Sequence, residues 1–314
     1  MVLAVALLAG FISAPSEAGE GKISGIMFGD YYWVVSADDA TAEAPEKRNA
    51  FQMRRIYLTY NKGIDDDFSI RFRLEANDSG FGSGSKMIPF TKHAYLKWKK
   101  GVGSSDLYLG LSGTPTWAGS EEAWGYRAVE KTVLDLNGIG SSADIGAALK
   151  GKAGKLGYHV MVGNGPGQKP ESDHGKKIYG SATFEFSEGM QVEGYADYNM
   201  RPGSKDELTL KGFAGFKSAG FQGGIEAFTR TNKKAAANGD DVKISGVSAF
   251  AALGLGESLK GFGRVDAVNN DLLLIAGLDH QPAKNVHLIP NLYIELPDGP
   301  DPSIQARVTF SYKY

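Results

Sequence analysis

The sequence predicts an all-β protein, a transmembrane antiparallel β-barrel of about 16 strands. Three observations predict it. After Gly19 the chain is a succession of segments in which apolar and polar residues alternate. The connections between these segments are short and long in turn. The last segment, 304–314, places Ile304, Ala306, Val308, Phe310, Tyr312 and Tyr314 on one face and polar residues between them. Alternation at period two sends the two sets to opposite faces of a strand. Chain ends fray unless they are tied down. A strand this regular at the end of the sequence is expected to pair with the first one, closing the barrel without an edge.

Composition narrows the alternatives. Of 314 residues, 42 are Gly and 11% are aromatic, which suits many strands joined by tight turns. Cysteine is absent, so a disulfide scaffold and Cys-ligated metal sites are excluded. A formal charge of −2 gives no footprint for nucleic acid. Residues 1–18 form an apolar stretch too short to span a membrane, ending Ser16-Glu17-Ala18 with small residues where a signal peptidase reads. They are expected to be a signal peptide whose basic start is missing, and 19–314 the barrel. No internal repeat or dividing linker is evident.

The strands follow in order. The first covers 22–35 and the second 51–61, where Ile56, Leu58 and Tyr60 form the outward set. The third, 67–76, has Phe68, Ile70, Phe72, Leu74 and Ala76 on one face and Ser69, Arg71, Arg73 and Glu75 on the other. Strands at 90–99, 105–113, 143–150, 155–163, 177–186, 190–200, 207–216 and 221–230 continue the series. The stretch 242–253 alternates weakly, so its facing is not fixed. Strands at 259–267, 272–280, 286–295 and 303–314 complete the set, and the apolar run 272–275 leaves the phase of its strand open. Each has about the 9–11 residues that a tilted membrane strand needs. Short turns fall at 62–66, 100–104, 151–154, 187–189, 217–220, 254–258 and 281–285. The longer connections are 36–50, 77–89, 114–142, 164–176 and 231–241. Those at 268–271 and 297–302 are short but lie on the same side. Asymmetric rims of this kind predict an outer-membrane barrel with both termini on the short-turn, periplasmic side.

A channel works through the residues that line it. Phase places Arg55, Tyr57 and Thr59 inward, with Arg71 and Arg73 on the next strand. A turn at Ile64 would set Arg55 opposite Arg73 and Tyr57 opposite Arg71. The following hairpin brings His93, Tyr95, Lys97 and Lys99 inward and sets Lys97 opposite Asp106. This wall is electropositive. Later polar faces carry Glu185, Glu193, Asp197, Glu226 and Asp266, mixed with Lys211, Arg230 and Arg264, so opposed walls would give a transverse field. The longest connection, 114–142, is expected to fold into the pore as its third long loop. Ser120 would N-cap a short helix there, and Glu121, Glu122, Trp124, Arg127, Glu130 and Lys131 would form the constriction.

Several runs resemble a known family. Phe51-Gln-Met-Arg-Arg-Ile-Tyr-Leu-Thr-Tyr and Asp67-Phe-Ser-Ile-Arg-Phe-Arg-Leu-Glu are similar to the first hairpin of the phosphate-selective porin O/P-like family. So are His93-Ala-Tyr-Leu-Lys-Trp, Leu109-Gly-Leu-Ser-Gly-Thr-Pro and the Gly163-Asn-Gly-Pro-Gly167 strand end. The resemblance implies a trimeric outer-membrane channel of 16 strands with its third long loop in the pore. The family's phosphate-selective members line the pore with many Arg and Lys residues. This chain starts basic and then turns acidic, so the channel role is what carries over. The expectation is passive diffusion of small hydrophilic solutes or anions through a homotrimer embedded in outer-membrane lipid. The other reading is a non-conducting barrel acting as adhesin, receptor or scaffold. No enzyme motif, metal-ligand spacing or cofactor is expected. The five histidines have no short ligand spacing, and no G-x-S-x-G run is present.

Overall fold

The computed structural model describes residues 20–37, 47–80, 82–299 and 301–314. The segment read as a signal peptide lies outside them. The first eight strands are β1 (Lys22–Ser36), β2 (Asn49–Gly63), β3 (Phe68–Ala76), β4 (Phe90–Val102), β5 (Ser105–Gly113), β6 (Ala143–Ala153), β7 (Leu156–Gly163) and β8 (Lys177–Ser187). They continue as β9 (Met190–Asn199), β10 (Glu207–Lys217), β11 (Phe221–Asn232), β12 (Val242–Gly254), β13 (Leu259–Val268), β14 (Asp271–Ala283), β15 (Val286–Leu296) and β16 (Ser303–Lys313). Each strand pairs antiparallel with its sequence neighbours and β16 pairs with β1, which makes one closed barrel of 16 strands. At the seam Met27 lies opposite Tyr312 and Tyr32 opposite Arg307. Gly25 N–H donates to the Tyr314 carbonyl at 2.9 Å, and Tyr314 N–H returns a bond to Gly25 at 3.1 Å. Closure satisfies the edge groups that an open sheet would leave bare.

The alternation read from sequence sets the two faces. Leu58, Leu109, Val160, Leu210, Val265 and Val308 lie exposed on the outer face, each from a different strand. A continuous apolar girdle of this kind is stable against hydrocarbon and not against water. The two strands whose facing the sequence leaves open are resolved. On β12, Ser248, Phe250 and Ala252 are buried while Val247 and Leu253 are exposed. On β14, Leu273 and Ile275 are buried while Leu272 and Leu274 are exposed. The run 272–275 is apolar throughout because both of its faces meet apolar surroundings.

On the face that carries Leu273 and Ile275 the surroundings come from the long connection. It contains α1 (Ala118–Trp124) and α2 (Val133–Leu136). Ser120 does not cap α1, contrary to expectation. Trp117 holds the N-cap position, and Ser120 lies inside the helix with its hydroxyl donating to Glu226 Oε1 at 2.6 Å. A hydroxyl adjacent to two glutamates has the sequence signature of a cap, but here β11 offers the buried acceptor. Gly125 ends α1 in the left-handed region at φ 71°, and its N–H reaches the Glu121 carbonyl at 3.0 Å.

Trp124, Tyr126 and Val129 of this segment cluster with Phe213, Phe250, Phe262, Leu273, Ile275, Ile289 and Tyr293 of the wall. Trp117, Val133, Leu134 and Ile139 form a second cluster with Phe228. The wall residues in both clusters sit on the face opposite the girdle. Polar contacts extend the attachment, from Thr116 on Tyr195 (3.1 Å) to Glu130 on Arg307 of β16 and to Arg54 of β2, which donates to Val129 O at 2.7 Å. None of these contacts involves β3–β7.

Candidate functional site: the polar face and the segment across it

Two bulges change which side chains reach the polar face. The β1–β2 register slips between Phe28/Arg55 and Gly29/Met53, so Arg54 is the extra residue. Arg54 and Arg55 therefore both point inward. Arg54 Nε pairs with Asp30 at 2.7 Å, and Arg55 Nε pairs with Glu75 at 3.0 Å. The β3–β4 register slips in the same way between Arg73/His93 and Leu74/Thr91, which turns Lys92 inward beside His93. Lys92 Nζ lies 2.9 Å from Glu75. Strict phase puts Arg54 and Lys92 among lipid-facing residues. A cation falling there is the sequence signal for a bulge, because a charge in hydrocarbon is costly.

The first bulge needs a glycine. A Cβ on Gly29 would lie 2.2 Å from the backbone oxygen of Gln52. Phe310 Cζ stands 2.9 Å from the same point and could shift, but the nearer Gln52 backbone cannot swing aside. Gly29→Val is therefore expected to lower the yield of folded barrel, read as the fraction of heat-modifiable band on a gel. A normal yield would show that the β1–β2 register tolerates a side chain there.

The expected pairing across the β2–β3 hairpin is corrected because its turn is centred on Asp66, two residues beyond Ile64, so that Gly63 pairs with Ser69. Arg55 lies opposite Phe28, and in the β2–β3 ladder Tyr57 faces Glu75, Thr59 faces Arg73 and Asn61 faces Arg71. No like charges stand directly across this hairpin. Lys97 lies opposite Tyr108 rather than Asp106, yet it leans along the strand to pair with Asp106 at 2.7 Å. Lys99 is exposed near the turn between β4 and β5, and its backbone N–H donates to Asp67 O at 2.7 Å.

Acids and bases are unevenly balanced around the barrel. On the later strands the acids are paired. Lys211 lies 2.6 Å from Glu193 and 3.5 Å from Glu226, and Lys177 lies 3.2 Å from Asp197. Arg264 pairs with Asp266, and Arg230 lies 2.6 Å from Glu207. The acidic wall expected from sequence is thus internally neutralised. On the early strands Arg71, Arg73 and Lys150 carry no ion pair among the described residues. Arg71 Nε donates to Asn61 Oδ1 and Arg73 Nε to Thr59 Oγ1, both at 2.7 Å. Lys150 stands opposite Asp106 in the ladder, but that carboxylate is taken by Lys97. Tyr57, Tyr95, Tyr108 and His93 lie among these cations. His159, also on the inner face, is buried with its Nε2 unpartnered.

The long segment supplies a mixed-charge surface. Arg127 bridges Glu121 at 3.0 Å and Asp135 at 3.2 Å. Burial pushes the Glu121 carboxyl above its ordinary range, against the pull of Arg127. Glu122 is exposed. Trp124 is 1% exposed and holds the segment to the wall rather than presenting itself to solvent. Glu130 is also buried, with Oε2 lying 3.8 Å from Arg54 Nη1 and 3.5 Å from Arg307 Nη1. Burial alone would raise its pKa, but the two guanidinium groups hold it below the usual carboxylate range. The Lys131 backbone carbonyl accepts from Arg264. Sequence reasoning placed none of Asp30, Arg54, Lys92 and Lys150 at this site.

No family model matches the chain, and no curated protein is similar to it in sequence. Solved structures are similar in fold. The outer membrane channel DcaP of Acinetobacter baumannii superposes with a TM-score of 0.70 at 13% identity, covering 98% of this chain and 100% of that one. An anion-selective porin from Comamonas acidovorans gives 0.67 at 12% identity, covering 94% and 99%. Salmonella typhi OmpF, solved with daunomycin, gives 0.64 at 12% identity, covering 94% and 97%. At such identities the likeness is one of fold, and the fold is that of outer-membrane porins.

Proposed function

We propose that this chain is a passive diffusion channel of the bacterial outer membrane for small hydrophilic solutes, with a preference for anions. The observation that carries the preference is the set of cations without an ion pair among the described residues, Arg71, Arg73 and Lys150, which lie outside the contacts that dock the long segment. In this reading the segment lies within the lumen and leaves a conduit between itself and β2–β7. Arg55, Tyr57, Arg71, Arg73, His93, Tyr95, Lys97 and the paired Asp106 line the conduit on one side. Glu121, Arg127 and Asp135 line it on the other, with Glu122 near the short-turn rim. Lys99 marks that rim, while Glu130, Lys131 and Trp124 fix the segment in place. A solute crossing between basic wall and mixed segment meets a transverse field, which orients dipolar solutes and raises the local anion concentration. Both termini then face the periplasm.

The kinship with the phosphate-selective porin O/P-like family, and the trimer it implies, belong to this same reading. The neutralised pairs on β8–β13 weaken the case for phosphate as the solute. They do not weaken the case for a general anion preference.

Planar-bilayer recording of the purified protein tests the proposal. Reversal potentials in a KCl gradient are expected to show chloride preferred over potassium. Replacing Arg71 and Arg73 together by Gln should lower the permeability ratio about fivefold, the effect of roughly one unit-charge contact in water. A silent barrel would favour the adhesin or scaffold reading. A cation-preferring one would reverse the assignment of the basic wall.

A further inference from the structure

An unpaired positive wall attracts any anion, but the wall around Arg71 and Arg73 is built more specifically than attraction requires. Each unpaired cation lies over a tyrosine. Arg73 Cζ is 4.9 Å from the Tyr57 ring centroid, Arg71 Cζ is 5.9 Å from that of Tyr95, and Lys150 Nζ is 4.7 Å from that of Tyr108. Tyr95 and Tyr108 meet edge to face at 5.3 Å. The chain thus sets a ladder of aromatic rings and cations along one wall. Attraction alone would be served by lysines with no rings beneath them.

The way the two arginines are held sharpens this. Both are anchored through Nε, to Asn61 and Thr59. That leaves the Nη edge of each guanidinium without a protein partner among the described residues. An anchored guanidinium presents two recognition surfaces at right angles. Its Nη edge matches a carboxylate by two parallel hydrogen bonds. Its flat face stacks on a planar π-system. Here the tyrosine takes one face and orients the group. Residues two apart on a strand are about 6.6 Å apart, so a carboxylate can pass from Arg73 to Arg71 without returning to bulk water.

We propose, on the basis of the anion-preferring reading above, that this wall selects planar conjugated carboxylates over saturated carboxylates of equal charge and similar size. The solute's carboxylate engages the Nη edge of one arginine while its ring lies against the neighbouring tyrosine or the free guanidinium face. A puckered aliphatic ring makes the first contact and not the second.

The probes are benzoate and cyclohexanecarboxylate, compared by bi-ionic reversal potentials on the wild-type protein in a planar bilayer. Benzoate is expected to be about threefold more permeant, the share of one exposed cation–π contact. The double variant Arg71→Lys with Arg73→Lys keeps the charge and loses the planar fork. The benzoate advantage should fall to about unity, a ratio between two monoanions that a change in overall anion preference does not move. Equal permeability of the two carboxylates in the wild type, with chloride preference intact, overturns this inference and leaves the anion reading standing. A benzoate advantage that survives in the double variant also overturns it. Absence of chloride preference in the wild type overturns both.

Discussion

Replacing Trp124 by Ala should detach the long segment from the wall and raise single-channel conductance. Trp124 is almost fully buried, with Tyr126 and Phe250 each 5.3 Å away between ring centroids and Phe262 at 6.0 Å. Its indole N–H donates to Glu130 O at 3.0 Å, and its own carbonyl accepts from Gln222 at 3.0 Å. Truncation removes the largest apolar side chain in that contact and leaves a cavity among Tyr126, Phe250 and Phe262. The cost is about 3–5 kcal/mol, typical of a large aromatic cut to Ala in a packed core. Strand pairing is independent of this contact, so the barrel should still form while the segment samples undocked positions. Recording should then show larger, noisier steps. Trp98→Ala is the control, because Trp98 is an exposed ring on the outer face. It should leave conductance unchanged. If Trp124→Ala conducts like the wild type, the segment does not limit the conduit.

Glu130→Ala should loosen the same segment by a different route. The Glu130 and Arg307 side chains are each 9% exposed, and Glu130 also draws on Arg54. Removing the carboxylate leaves Arg307 without its ion partner in a poorly solvated site and leaves Arg54 with Asp30, at about 3–5 kcal/mol. The same site predicts a pH dependence. The folded-state pKa of Glu130 is below its ordinary value, so the docking stability it contributes is present above the ordinary carboxylate range. It is lost as pH falls through the folded value. Acid should therefore increase protease access to the segment, whereas moderate alkali should not. Glu130→Gln should show the loosened behaviour at neutral pH and little further change in acid. Protection that persists unaltered through the acid range would mean that Glu130 does not fasten the segment.

The strands were legible because lipid outside and polar groups inside impose a strict period of two. The turns were legible because one rim is short throughout. Legibility failed where that period is interrupted. Arg54 and Lys92 each follow a slip of one residue, which no count of alternating positions detects unless a charge on the apolar face is taken as a warning. It failed again where the inner face is not polar. Leu273 and Ile275 look like a phase error until the segment carrying Trp124 and Tyr126 is placed against them, a contact between residues about 150 positions apart in sequence. The acids of β9–β13 lie on the polar face as the phase predicts, but their partners Lys177 and Lys211 decide their effect, and pairing across strands depends on register. The cations Arg71 and Arg73 were readable from phase alone. That they remain unpaired was not.

The Glu130 bridge has a consequence for the order of assembly. Arg54 belongs to β2 and Arg307 to β16, and β1 runs between them. The carboxylate can therefore meet both guanidinium groups only once the last strand has joined the first. Before that moment the segment faces an unfinished cradle and a greasy half-cylinder. The apolar contacts to β10–β15 do not need the seam, so the bridge is the part of the docking that depends on a completed ring. A chain arrested before closure would be one whose interior is still accessible, a state that a folding machinery or a protease in the periplasm could distinguish from the finished product.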